Sequence, residues 1–181
     1  HPLLPIPDLQ IHFVIGMVED HARKLLLGHG YSAHVCILRP KSRGQVQLAS
    51  INALDDPLID VNMLGDAEDL EIMVRAYKLT RGILRAPAFA LVRGKELHTA
   101  DVHGDDEIRA LLRQRVDCIY HPVGTCKMGQ GEDAVVDAEL KVHGLQGLRV
   151  VDASIMPTLI GGNTNAPTIM IGEKAADMIR Q

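Results

Sequence analysis

With 181 residues, 46% of them apolar and 23% charged, and a formal net charge of -4, the chain has the balance of a globular protein with a sizeable core, not of a disordered or fibrous one. No polybasic run offers itself to nucleic acid, aromatic residues make up only 3% with no Trp to stack on single strands, and no apolar run is long enough to span a bilayer. Cys36, Cys118 and Cys126, odd in number and without a CxxC pair, argue against a disulfide framework and for a reducing compartment. The expected location is therefore cytoplasmic, with the periphery of the inner membrane as the alternative.

The opening His1-Pro2-Leu3-Leu4-Pro5 has neither the charged nor the apolar region of a signal peptide and no initiator methionine, so the chain is read as part of a longer one. Residues 8–18 alternate, with Leu9, Ile11, Phe13, Ile15 and Met17 on one face, which predicts a half-buried strand. Residues 19–30, polar at the start and ending Gly28-His29-Gly30, read as a mobile excursion with room for a short helical turn over 22–27. Residues 31–39 alternate again, Pro40-Lys41-Ser42-Arg43-Gly44 supplies a turn, and 45–50 resume extended structure, which predicts a hairpin; a further extended piece follows at 57–62. Asp66 and Asp69, at capping-box spacing, precede an amphipathic helix lined by Leu70, Met73, Tyr77, Thr80 and Leu84 and ending near Ala86-Pro87. A second helix is predicted over 105–116, its opening carboxylates Asp105, Asp106 and Glu107 complementing the helix dipole. After Tyr120 glycine becomes dense: short strands are expected at 135–136 and 148–152, and a final helix runs from near Pro167 to about Arg180. Antiparallel strands followed by helices make the fold class α+β.

Three segments carry the chemistry. They are Tyr120-His121-Pro122-Val123-Gly124-Thr125-Cys126-Lys127-Met128-Gly129, then Gly147-Leu148-Arg149-Val150-Val151-Asp152-Ala153-Ser154-Ile155-Met156-Pro157-Thr158, then Gly161-Gly162-Asn163-Thr164-Asn165-Ala166-Pro167-Thr168. Their order and spacing resemble the C-terminal signature of the glucose-methanol-choline oxidoreductases, and the likeness continues through Gly172-Glu173-Lys174-Ala175-Ala176-Asp177 and, more weakly, upstream through 40–44. The resemblance implies a flavin-dependent oxidation of an alcohol, choline-like or aliphatic and primary, to the aldehyde. It implies FAD as cofactor, an antiparallel sheet with flanking helices as part of a substrate-binding domain over 1–133, and the C-terminal strand and helix of an FAD-binding domain over 134–181.

Alcohol oxidation removes a proton from oxygen and a hydride from carbon, so it needs a group that accepts a proton near neutral pH, the range in which histidine works. By the resemblance that base is His121, and Asn163, which cannot titrate, orients the substrate oxygen and steadies developing alkoxide charge. The positive end of the last helix, at Asn165, Pro167 and Thr168 with Asn163 and Thr164 before them, would suit the negative charge of reduced flavin. Asp152 and Ala153 resemble positions that approach the ribityl chain and pyrophosphate of FAD. Against these roles stand plainer ones: a structural histidine, turn chemistry for Asn163 and a strand-end cap for Asp152.

Other chemistries fit poorly. His98 and His103 lack metal-ligand spacing, and no metal site is expected; there is no Gly-x-Ser-x-Gly elbow; Arg39, Lys41 and Arg43 read as a solvated turn; Cys118 and Cys126 beside His121 read as packing. The loop that meets the pyrophosphate in such flavoproteins, Gly-x-Gly-x-x-Gly after a strand, has no match here, so the expected partners are an alcohol and a missing N-terminal FAD-binding region. Partner expectations also include a homo-oligomer but no nucleic acid, and they leave the electron acceptor open. Two alternatives remain: a non-catalytic binding module, and a hydroxynitrile lyase of the same fold.

Overall fold

A computed structural model describes residues 5–19 and 24–180 of the chain, which divide into two compact units. Unit 1 comprises His1–Arg43 and Asn62–Asp117, and unit 2 comprises Gly44–Val61 and Cys118–Gln181. Position 134 lies inside unit 2, where the amide of Val135 donates to the carbonyl of Lys127.

In unit 1, β1 (Leu9–Val14) is followed by a short antiparallel ribbon of β2 (Val18–Glu19) and β3 (Lys24–Leu25), and then by β4 (Ser32–Ile37). β1 and β4 pair antiparallel from Leu9 opposite Ile37 to Val14 opposite Ser32. Alternation holds in the first part of the predicted strand, where Leu9, Val35 and Ile37 turn to the core while Gln10 and His12 share the other face with Cys36 and His34. The strand ends at Val14 and not at 18, however, and Ile15 is 90% exposed instead of facing the core. The helical turn anticipated over 22–27 is not formed at Lys24 and Leu25, which are extended, and the rest of that reading at 22 and 23 lies outside the described residues.

The core of unit 1 is helical. In α1 (Ala67–Leu84) Leu70, Met73, Val74 and Ala76 are buried, and in α2 (Asp105–Arg115) Ile108 and Leu112 meet them, one stripe from each helix at a 3–4 residue spacing. Asp66 caps α1 by accepting from Glu68 N at 2.8 Å, and Glu107 caps α2 by accepting from His103 N at 2.7 Å and Gly104 N at 3.0 Å. Arg109 of α2 forks onto Glu71 of α1 at 2.7 and 3.0 Å, joining the two helices by a bidentate ion pair. Past the end of α1, Pro87 opens a 3-10 turn over Pro87–Phe89. No helix among the described residues is long and apolar enough to cross a membrane.

Asp69 does not close a capping box. It is 1% exposed and accepts from the backbone amides of Lys41 at 3.0 Å and Ser42 at 2.7 Å and from the Ser42 hydroxyl, which itself accepts from Asp66 N at 3.1 Å. The turn at 40–44 is thereby pinned to α1. This is one reason the predicted hairpin of 31–39 with 45–50 does not exist. The other is Gly44, where a Cβ would stand 2.1 Å from the carbonyl oxygen of Asp60: the chain passes so close to that backbone that only glycine fits. β4 therefore pairs with β1, whereas β5 (Gln45–Gln47) pairs antiparallel with β6 (Leu58–Asp60) in an exposed ribbon of unit 2. The strands of the described residues thus form three separate two-stranded ribbons instead of one sheet.

The rest of unit 2 is a bridged loop assembly backed by α3 (Asn165–Arg180). The strands expected at 135–136 and 148–152 are reduced to isolated bridges, Met128 with Val136, Val136 with Val142 and Lys141 with Arg149. Positive φ at Leu140, Gly144 and Gly147 turns the backbone too often for a ladder to extend. So the C-terminal helix exists as expected, and the C-terminal strand does not. Val136, Leu140, Ile155, Met156, Ile171 and Ala175 form the core, with Asp152 capping a 3-10 turn over Ala153–Ile155.

Burial pushes the Asp69 carboxyl up, but the Lys41 and Ser42 amides, the Ser42 hydroxyl and nearby Arg43 outweigh it and hold it below the usual carboxylate range. A depressed folded-state value adds stability that is present above the unfolded value, about 3.9, and lost as pH falls through the folded one. Asp69→Asn is expected to cost about 1–3 kcal/mol at pH 7 by spoiling buried acceptors. In urea denaturation the substitution should flatten the loss of stability below pH 4; an unchanged acid profile would mean that other carboxylates carry it.

Candidate active site

The segment around His121 is shaped by backbone conformations that few residues adopt. Tyr120 has φ 63° and Gly124 φ 90°, so the chain turns on both sides of the histidine. A Cβ at Gly124 would lie 3.3 Å from the carbonyl oxygen of Met156, which explains the glycine both by conformation and by space. Beyond it Cys126 N donates to Ser154 O at 3.0 Å and Met128 N to Ile155 O at 2.8 Å, laying the segment along the 3-10 turn. Val123 and Met128 add their side chains to the core of unit 2.

The second wall is the start of α3. Ile171 and Ala175 are buried against the cluster that includes Ile155 and Met156, which fixes where the helix begins. Thr164 O accepts from Thr168 N at 3.0 Å and from Thr168 Oγ1 at 2.7 Å, so the first turn is closed on both its backbone and its side chain. Pro167 occupies the third position, where its missing N–H leaves no intrahelical bond unmade.

The two walls meet on one ring. His121 Nδ1 lies 2.9 Å from Thr164 Oγ1, and His121 Nε2 lies 2.8 Å from Asn163 Nδ2. Thr164 is 7% exposed, His121 is half-buried and Asn163 is exposed, so the ring is anchored at its inner nitrogen and presents its outer one at the surface of the unit. Such an arrangement can pass a proton at Nε2 while an amide beside it binds the same oxygen.

Of the residues singled out in the sequence, His121, Asn163, Thr164 and Thr168 are thus brought together. Asn165 is exposed in the first turn of α3 and Pro167 is half-buried there. Asp152 and Ala153 join the group indirectly: the Asp152 carboxylate caps the turn by accepting from Ser154 N at 2.7 Å, and that turn carries the Ser154 and Ile155 carbonyls that hold Cys126 and Met128. The Thr164 hydroxyl on His121 was not foreseen; the only signal for it is a threonine beside Asn163, which reads as ordinary helix-start chemistry.

The other candidates have structural occupations. Arg39 Nη1 donates to Pro7 O at 2.9 Å, Lys41 pairs with Glu68, and Arg43 Nη1 donates to the carbonyls of Pro40 at 2.8 Å and Ser42 at 2.9 Å. Cys118 Sγ accepts from Tyr120 N at 3.2 Å, and burial pushes the Cys36 thiol up, away from the thiolate. Cys36, Cys118 and Cys126 are not joined in disulfides. No cluster of three His, Cys, Asp or Glu side chains suited to a metal ion exists among the described residues.

Residues 40–172 match the family model described as GMC oxidoreductase. Among curated relatives, alcohol dehydrogenase (acceptor) of Pseudomonas putida is 52% identical over 174 residues, covering 96% of this chain and 32% of that protein. The mitochondrial choline dehydrogenase of Mus musculus is 47% identical over 182 residues, 99% of this chain and 30% of that protein. Among solved structures, pyridoxine 4-oxidase from Mesorbium loti superposes with a TM-score of 0.86 at 32% identity, covering 94% of this chain and 34% of that one. A formate oxidase from Aspergillus oryzae superposes at 0.89 with 28% identity, covering 98% of this chain and 32% of that one. The chain spans about a third of the length of the curated relatives it matches. With a family match over 40–172 and relatives of such identity along nearly its whole length, the chain belongs to the glucose-methanol-choline (GMC) oxidoreductases and carries their C-terminal domain.

Proposed function

We propose that the protein carrying this chain oxidises a primary alcohol, aliphatic or choline-like, to the aldehyde with FAD as its cofactor. The observation that carries the reading is the His121 ring held between Thr164 and Asn163 at the head of α3. The names of the relatives, alcohol dehydrogenase and choline dehydrogenase, support the substrate class.

The residues present suit one end of FAD and not the other. Between Val150 and Gly172 Asp152 is the only charged residue, so the head of α3 offers helix-start N–H groups, from Asn165 and Ala166, without a competing carboxylate in its first turns. That donor set fits the electron-rich rim of a flavin ring. The exposed Asp152 carboxylate fits a polyol, whose hydroxyls donate, better than a phosphate. Nothing between Val150 and Gly172 supplies the cations or the glycine-rich loop that a dinucleotide's phosphates require. In this reading Asp152, Ala153, Asn163, Thr164, Asn165, Pro167 and Thr168 belong to the cofactor side and residues 134–181 to the FAD-binding domain, while 1–133 serve the substrate. His121 shares its compact unit with residues 134–181.

FAD, when bound, supplies the acceptor for the hydride that leaves the alcohol carbon. His121 takes the hydroxyl proton at Nε2, and Asn163 donates from Nδ2 to the oxygen on which negative charge develops.

In the full-length protein, His121→Ala should slow anaerobic flavin reduction by an alcohol about 10²–10⁴-fold, and a loss below tenfold would sink the base assignment. Asn163→Ala is expected to lower the same rate by about 10²–10³-fold, the usual effect of losing a donor to a developing oxyanion. Flavin bleaching followed by stopped-flow absorbance reads both, and an unaltered rate in the Asn163 variant would confine that residue to the turn.

A further inference from the structure

We propose that Thr164 is a positioning residue that sets the tautomer of His121, an inference resting on the base role proposed above. An amide nitrogen only donates, so the Asn163 Nδ2 contact at 2.8 Å makes His121 Nε2 an acceptor. A neutral imidazole carries one N–H, which must then sit on Nδ1 and donate to Thr164 Oγ1 at 2.9 Å. The lone pair a general base needs is thereby placed on the nitrogen nearer the surface.

Thr164 is suited to hold that assignment. Its carbonyl is fixed by two bonds from Thr168, its side chain is 7% exposed, and branching at Cβ restricts the direction of its hydroxyl. The oxygen that meets Nδ1 is therefore set by the first turn of α3. A flipped ring would put carbons where both nitrogens now stand and lose both partners. When Nε2 takes up a proton the bond to Thr164 becomes charge-assisted, so the same hydroxyl favours the protonated product of the step. Without an acceptor at Nδ1 the N–H there goes unpaired and only the Asn163 amide still favours its tautomer, whereas an Nε2–H tautomer offers the substrate a donor where it needs a base. A histidine left in the wrong tautomer keeps its geometry and loses its chemistry.

The test compares Thr164→Val, which keeps the shape, with Thr164→Ser, which keeps the hydroxyl, in the full-length flavin-loaded protein. Nitrogen-15 NMR of labelled histidine should show His121 protonated on Nδ1 in the parent, moved toward Nε2–H in the valine variant and returned to Nδ1 in the serine variant. The valine variant should lower kcat about 10–100-fold, as loss of an orienting partner does, with KM nearly unchanged, and serine should recover most of that loss. An Nδ1–H signature that survives in the valine variant overturns the proposal, and so does an equal loss of kcat in both variants. Normal flavin reduction by His121→Ala would sink the base assignment separately, while the NMR comparison would still decide the tautomer.

Discussion

The seating of α3 is the constraint on which the rest of the site depends. Ile171 and Ala175 are buried with Ile155 and Met156, and the loop bearing His121 is bonded by backbone to the turn at Ala153–Ile155. One apolar cluster therefore fixes both walls of the site, and the polar contacts on His121 are made between elements already immobile. Hydrogen bonds to exposed groups contribute little net energy in water, and here they serve direction more than stability. Burial supplies the energy and the bonds supply the aim.

Unit 1 solves a different problem with a charge. A buried carboxylate is costly unless each of its oxygens is satisfied, and Asp69 meets that condition by gathering two amides and a hydroxyl from Lys41 and Ser42. The result ties the end of the β1/β4 ribbon to the first turn of α1, a contact between parts of the chain 27 residues apart. The apolar stripe of α1 then packs on α2, and Arg109 closes the outer edge of that pair.

What could be read from the sequence follows the range of the forces involved. α1, α2 and α3 were legible because period, caps and the prolines at 87 and 167 are local signals. The partner of β4 was not, because a plausible turn at 40–44 says nothing about Asp69 or about how near Gly44 passes to Asp60. Asp66 and Asp69 show the ambiguity well: one spacing describes a capping box and a buried acceptor equally, and Asp66 caps while Asp69 does not. The short strands after residue 134 failed for a related reason, since left-handed residues such as Leu140 break a ladder that composition alone would allow. His121 and Asn163 came from the resemblance of three segments to a family signature, and their meeting is a tertiary fact that neither segment contains. Thr164 on the inner nitrogen was invisible because its partner is 43 residues away.

Asn163 and Thr164 are neighbours in sequence, yet they hold opposite nitrogens of one ring. A single peptide unit thus acts as a gauge block whose width matches an imidazole. One residue gained between Asn163 and Thr164 would part the two grips, and one gained between Thr164 and α3 would shift both off the ring together, so the tolerance to insertion should be low at that point in the chain.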